Sequence, residues 1–334
     1  MLPTITIVII TLNNARTIKT CMESIAMQDY PKNLIQYLNI DGGSTDKTRE
    51  VIKSYGFETI LSPIKKNAEA QRAIGLAKAK NELIVSLDAD NYLPYKSWLK
   101  KMINPFMDDS KIVHAGTLHY SYRKNDKLFN RYCALFGNLD PVVFYIGHPD
   151  RKPRYATRWT GGKILKESNN YTVVDFNKEN LPTVGCNGVV YRRDILKKFA
   201  KSNPKDFMHI DVFVDLLNKG FTRFAIVNLE VIHDTAVTMR SLIQKRLHFL
   251  TSYYLNQSNK RRYLIYNPQS PKDNLKLFLF VVYTLTVIKP LADSFYGYFK
   301  IRDFAWFLHP MMCWIYLLAY GFSSAKNILN SKIK

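Results

Sequence analysis

The chain has 334 residues, enough for one large catalytic domain with an appendage or for two modest domains. Its 47% hydrophobic and 22% charged content excludes a disordered or low-complexity chain, and the scattered Cys21, Cys133, Cys186 and Cys313 exclude a CxxC zinc site or a disulfide framework, which points to a reducing compartment. The net charge of +21 demands an anionic partner: nucleic acid, anionic lipid or a phosphorylated substrate.

The β-branched run Thr4 to Thr11 predicts a strand buried on both faces of a parallel sheet. Its core, ITIVII, has no basic flank or cleavage site and is too short to span a bilayer, so it reads as a strand and not a signal peptide. Ile18, Cys21, Met22 and Ile25 then share one helical face, with Asn13 or Asn14 as cap. The pattern repeats as a strand at Tyr37 to Ile40 runs into DGGSTD, where Ser44 and Thr45 are cap candidates and Asp46 suits a first helical turn. An Ala-rich helix over about 67–79 leads into the apolar strand LIVSL at 83–87. Such alternation predicts a doubly wound sheet that binds ligands at the carboxyl ends of its strands. Further strands are expected at Ile112 to Tyr120, Tyr171 to Phe176 and Thr222 to His233, and the polar stretch 148–170 is expected on the acceptor side.

Chemistry concentrates in SLDADNYL, residues 86–93. Asp88 and Asp90 at a strand end can together hold a hard divalent cation and a ribose hydroxyl, although acids are also common at helix starts. TIVIITLNN at 6–14, IDGGSTDKT at 40–48, NAEAQRAIGLAKAKNELIVSLDAD at 67–90 and IDVFVDLLNKG at 210–220 follow one another in an order that resembles family 2 glycosyltransferases, over about residues 4–235. The resemblance implies a GT-A fold, a doubly wound mixed sheet of Rossmann-like α/β class. It implies inverting, metal-dependent transfer of a sugar from a nucleotide-sugar donor. The first two pieces, with Thr11, Asn13 and Asp41, would line the nucleotide pocket; Asp88 and Asp90 would hold ribose and Mg²⁺ or Mn²⁺; Arg72 would lie near the base or diphosphate. Asp211 falls at the position of the catalytic base, which takes a proton from the acceptor hydroxyl, the alternative being that Asp211 and Asp215 form a solvated helix face. Gly42 replaces a second acid that commonly contacts uracil, Ala73 replaces a frequent Asn, and Ile210 replaces a Glu, so a UDP donor is not specified.

His233 at a strand end is a candidate third ligand or phosphate contact, with a capped structural histidine as the alternative. Asn187 in GCNGVVYRR is placed to bond a sugar hydroxyl, unless its glycines only permit a bend, and Trp159 in WTGG offers an aromatic face to a sugar ring. Past His233, Ile243, Leu247, Leu250 and Tyr254 form an apolar stripe, with Lys245 and Arg246 as diphosphate contacts or as a solvated basic face. Processivity is not supported, because the Gln-x-x-Arg-Trp motif of processive relatives is not matched.

Eight basic residues and one acid between Arg240 and Lys276 precede the apolar runs 277–288 and 304–322, which favours anionic membrane lipid over nucleic acid. The expected partition is a catalytic domain at 1–235 (nucleotide half 1–110, acceptor half 111–235), a basic helical linker at 236–274 and membrane-associated helices at 275–334. Those helices suit a spanning hairpin, a re-entrant pair or a buried soluble subdomain, and the basic flanks put the catalytic domain on the cytoplasmic side. The expected acceptor is a lipid-linked glycan or polyprenyl phosphate. The competing readings are a nucleotidyltransferase and a non-catalytic, membrane-bound carbohydrate-binding protein.

Overall fold

The computed structural model describes residues 1–183, 185–235, 238–255 and 260–332. The chain forms two compact units, one of residues 1–121 and 158–234, the other of residues 122–157 and 235 onward. In chain order, β1 (Ile5–Thr11), α1 (Ile18–Ala26), β2 (Ile35–Asp41), α2 (Thr48–Ser54), β3 (Glu58–Leu61), α3 (Ala68–Lys78), β4 (Leu83–Asp88), β5 (Asn91–Tyr92), α4 (Trp98–Asp108) and β6 (His114–Tyr120) open the first unit. Helices α5 (Leu128–Phe136) and α6 (Pro141–Ile146) enter the second. The chain then returns to the first through β7 (Lys163–Glu167), β8 (Tyr171–Asp175), β9 (Val189–Arg192), α7 (Arg193–Phe199), α8 (Asp211–Leu217) and β10 (Arg223–His233). Helices α9 (Met239–Phe249), α10 (Pro271–Thr286), α11 (Ile288–Lys300) and α12 (His309–Lys332) complete the second unit.

The first unit is a mixed sheet of order β3-β2-β1-β4-β9-β6-β10-β8-β7, with β5 paired to β10. Every residue of β1 is buried, as its unbroken β-branched sequence requires, and β1 runs parallel to both β2 and β4. The strand order reverses at β1, and in doubly wound sheets the carboxyl ends at such a reversal, here those of β1, β2 and β4, are where ligands bind. Helix α3 packs against β1 at Gly75, where a Cβ would meet Val8 Cγ1 at 2.4 Å. The expected caps differ in detail. Thr17, with no side-chain cap bond, precedes α1, and α2 starts at Thr48 with Asp46 just outside it; the Asn13 and Asp46 side chains instead join the two loops, and Asn14 Oδ1 accepts from Leu12 N within its own loop.

In the second unit Tyr132, Phe136, Val142 and Ile146 share one core with Leu242, Phe280, Trp306, Met312 and Tyr316. His309 lies inside it, 3.0 Å from the Tyr132 hydroxyl and 2.9 Å from the Tyr145 hydroxyl. The boundary expected at residue 275 therefore cuts through a packed unit: amphipathic spacing marks an apolar face but not what covers it. Helices α10 and α11 meet at Val287 (φ 62°) with a 79° bend, and Phe304–Asn327 is long and apolar enough to cross a membrane.

Candidate active site

Adjacent strands bring the first sequence-predicted residues together, since Thr11 pairs in register with Asp41 and Ile10 with Asp88. Asp41 is fully buried. Its carboxylate accepts from Gly43 N at 3.0 Å, Ser44 N at 2.8 Å, Ser44 Oγ at 2.6 Å and Thr11 Oγ1 at 2.8 Å. Asn13, in the left-handed region at φ 54°, donates its N–H to Ser44 Oγ and accepts from Thr45 N at 2.8 Å. Thr11, Asn13 and Asp41 thus fix the shape of two strand-end loops. Beneath them Gln71 Nε2 donates to the carbonyls of Thr11 (2.8 Å) and Ile40 (2.6 Å), filling the space beside Gly42.

Asp88 closes β4, and Arg72 of α3 clamps it, with Nη2 at 2.7 and 2.9 Å from its two oxygens. The other Arg72 amino group meets Glu69 at 2.9 Å. The guanidinium is therefore a brace within the protein, with a tenth of its side chain exposed. Glu69 in turn accepts from the backbone N–H of His209 at 2.7 Å and faces its Nδ1 at 2.9 Å. Burial opposes both charges, yet their mutual attraction prevails and holds His209 up at about 10 and Glu69 down at about 2.

Asp90 reaches its neighbours through a strand pairing: Ile232 is opposite Tyr92 and His233 opposite Asn91, and Asp234 N donates to Asp90 O at 2.9 Å. This sets His233 Nε2 3.7 Å from Asp90 Oδ1, with the imidazole tilted over Tyr120. A carboxylate and an imidazole at that separation suit a divalent cation whose other positions go to water and phosphate oxygens. Asp90 and His233 supply two donors of the kind such an ion takes, and Asp88 lies two residues before Asp90 with both its oxygens bonded by Arg72 Nη2. Among the described residues no group of three or more His, Cys, Asp or Glu side chains encloses a metal position.

The family model described as Glycosyl transferase family 2 matches residues 6–199. The chain belongs to glycosyl transferase family 2. It has the GT-A fold and is a glycosyltransferase. Glycosyltransferase AglE of Haloferax volcanii is 24% identical over 136 residues, 39% of this chain and 44% of that protein. A glucuronosyltransferase of Methanococcus voltae is 33% identical over 122 residues, 34% of this chain and 38% of that one. The matches thus span under half the length of these curated relatives. The mannosyltransferase PcManGT of Pyrobaculum calidifontis, solved with GDP-Man and Mn²⁺, superposes with a TM-score of 0.54 at 15% identity, covering 99% of this chain and 88% of that one.

In this family 2 glycosyltransferase Asp211 opens α8 and is fully buried, while Asp215 one turn on accepts from Lys201 N at 2.9 Å. Asn187 donates to the Tyr120 hydroxyl at 3.2 Å, one residue before Gly188 makes its bend at φ 65°. Trp159 is a correction: it is 2% exposed with its ring edge-on to Phe176, so it belongs to the core and offers no face to a sugar. Lys245 and Arg246 belong to the second unit, where Lys245 is exposed and Arg246 bonds Tyr316 near Asp140. Arg246 is thus a packing partner of its own unit. Glu69 and Gln71 lie within the stretch 67–90 and His209 just ahead of 210–220, yet nothing in those pieces marks them as site residues; the one sequence signal is Glu69 in a first helical turn, three residues before Arg72.

Proposed function

We propose that this glycosyltransferase moves a sugar, with inversion, from a nucleotide-sugar donor to a membrane-associated acceptor, a lipid-linked glycan or polyprenyl phosphate. The carrying observation is the convergence of Thr11, Asp41 and Asp88 at the carboxyl ends of neighbouring parallel strands, with Asp90 and His233 set beside them. The GDP-Man and Mn²⁺ held by PcManGT support a nucleotide-sugar donor and a cation. The name of the Methanococcus voltae relative, a dolichyl N-acetyl-alpha-D-glucosaminyl phosphate glucuronosyltransferase in short, supports a lipid-linked acceptor.

Asp90 and His233, with Asp88 alongside, would hold Mg²⁺ or Mn²⁺, which when bound offsets the charge gathering on the departing diphosphate. Asp88, braced by Arg72, is suited to accept from ribose hydroxyls. Asp211 takes the acceptor proton as its oxygen attacks the anomeric carbon, and one carboxylate performing one displacement gives inversion.

Membrane contact falls to the second unit, where Phe278, Phe299, Phe304 and Phe322 are each more than 60% exposed. Basic residues between Arg240 and Lys276 add attraction to anionic headgroups, with the catalytic unit on the cytoplasmic side. Lys334 and the side chain of Lys332 lie outside the described residues. The direct test is hydrolysis of a panel of nucleotide sugars with Mg²⁺ or Mn²⁺, then transfer to polyprenyl phosphates in detergent. Failure to bind or cleave any nucleotide sugar overturns the donor assignment, and transfer to water-soluble glycans alone overturns the acceptor class.

A further inference from the structure

A line of partly to fully buried charge crosses the first unit from Asp88 through Arg72 and Glu69 to His209. Glu69 grips His209 twice, at its ring Nδ1 (2.9 Å) and its backbone N–H (2.7 Å), and His209 stands two residues before Asp211. The grip is enclosed: Glu69 is 2% exposed, and a Cβ on Gly185 would strike His209 Cδ2 at 2.2 Å, so the imidazole has no room to turn away. The Asp211 N–H itself bonds Met208 O at 3.0 Å, so the turn that Glu69 holds is the turn that launches the base helix α8.

Buried ion pairs add little stability over apolar packing of the same volume, because desolvation offsets attraction. What they supply is direction. We propose that Glu69 and His209 are positioning residues, a charged strut that fixes the base Asp211 relative to the donor-side carboxylate Asp88. The strut rests on the reading of Asp211 as the base. Its work is to hold the base, on the acceptor side of the anomeric carbon, at one separation from Asp88, on the nucleotide side, while donor and acceptor come and go.

The test is Glu69→Gln, which keeps the volume and removes the charge, read by donor turnover with water as acceptor. Its turnover number should fall ~10²-fold, the loss that a misplacement of about 1 Å produces. Calorimetric binding of GDP and UDP with Mn²⁺ should stay within about threefold, since the base acts on the transition state and not on the bound donor. In an Asp211→Asn background Glu69→Gln should cost almost nothing more, because the strut acts through Asp211. Where Glu69→Gln fails to fold, His209→Gln, which retains a side-chain N–H toward Glu69, carries the same measurement. Full turnover in Asp211→Asn alone defeats the base reading. A damaged Asp211→Asn beside an intact Glu69→Gln, or losses that multiply in the double variant, defeats the strut and leaves the base reading standing.

Discussion

Restoring the acid that relatives commonly carry at position 42 should destabilise this chain. A Cβ on Gly42 would lie 3.0 Å from Gln71 Oε1 and 3.2 Å from its Cδ, so the carboxylate of Gly42→Asp needs the volume that the Gln71 amide fills. Displacing Gln71 breaks its bonds to the carbonyls of Thr11 and Ile40. Gly42 N also donates to Thr11 O, at 2.8 Å, so that acceptor is not left dry and the cost stays near the net value of a hydrogen bond. At about 1 kcal/mol for each bond, the loss comes to about 2 kcal/mol. Urea unfolding followed by circular dichroism measures it, with a double-mutant cycle against Gln71→Ala. Once Gln71 is truncated, Gly42→Asp should cost less than about half as much, because the space is empty. Equal destabilisation in both backgrounds would refute the claim that Gln71 is what excludes a side chain at position 42.

Asp90→Asn should abolish Mn²⁺-supported nucleotide binding in calorimetry while leaving the melting temperature near that of the wild type; undiminished turnover would remove the cation from the mechanism. The raised pKa of His209 contributes stability that is complete below its ordinary 6.5 and is lost as pH climbs through about 10, and the lowered pKa of Glu69 contributes stability present above its ordinary 4.5 and lost as pH falls toward 2. The melting-temperature gap between wild type and Glu69→Gln should therefore be widest between about pH 4.5 and 6.5, and a gap undiminished at pH 10 would contradict the pairing. Replacing Phe278, Phe299, Phe304 and Phe322 together with Ser should reduce sedimentation with anionic vesicles and leave nucleotide binding intact; unchanged sedimentation would clear these rings of any part in membrane contact.

The nucleotide half of the fold was legible because strands buried on both faces read as unbroken apolar runs, and because strand ends are where Asp41 and Asp88 must lie. What pattern cannot carry is pairing across long separations. Glu69 and His209 are 140 positions apart, and Asp90 meets His233 only because β5 pairs two residues with the carboxyl end of β10. Trp159 misled because an indole next to glycines reads equally well as a loop platform or as a core anchor, and burial against Phe176 decides for the core. The apolar C-terminal helices were seen as such, but α5 and α6, whose rings fill the core they help to form, were not connected with them.

The interleaving of the two units sets the order in which the polypeptide can mature as it is made. Tyr132 waits for His309 across 177 positions, about 9–35 s at the roughly 5–20 residues per second of translation. During that interval the apolar faces of α5 and α6 stand without the helices that cover them, and for the first part of it the sheet of the other unit lacks its inner strand β10. Nascent chains of this enzyme therefore present a sticky intermediate that a bilayer or a chaperone is suited to shield, and a ribosome stalled between residues 240 and 300 would release a product with an unfinished core.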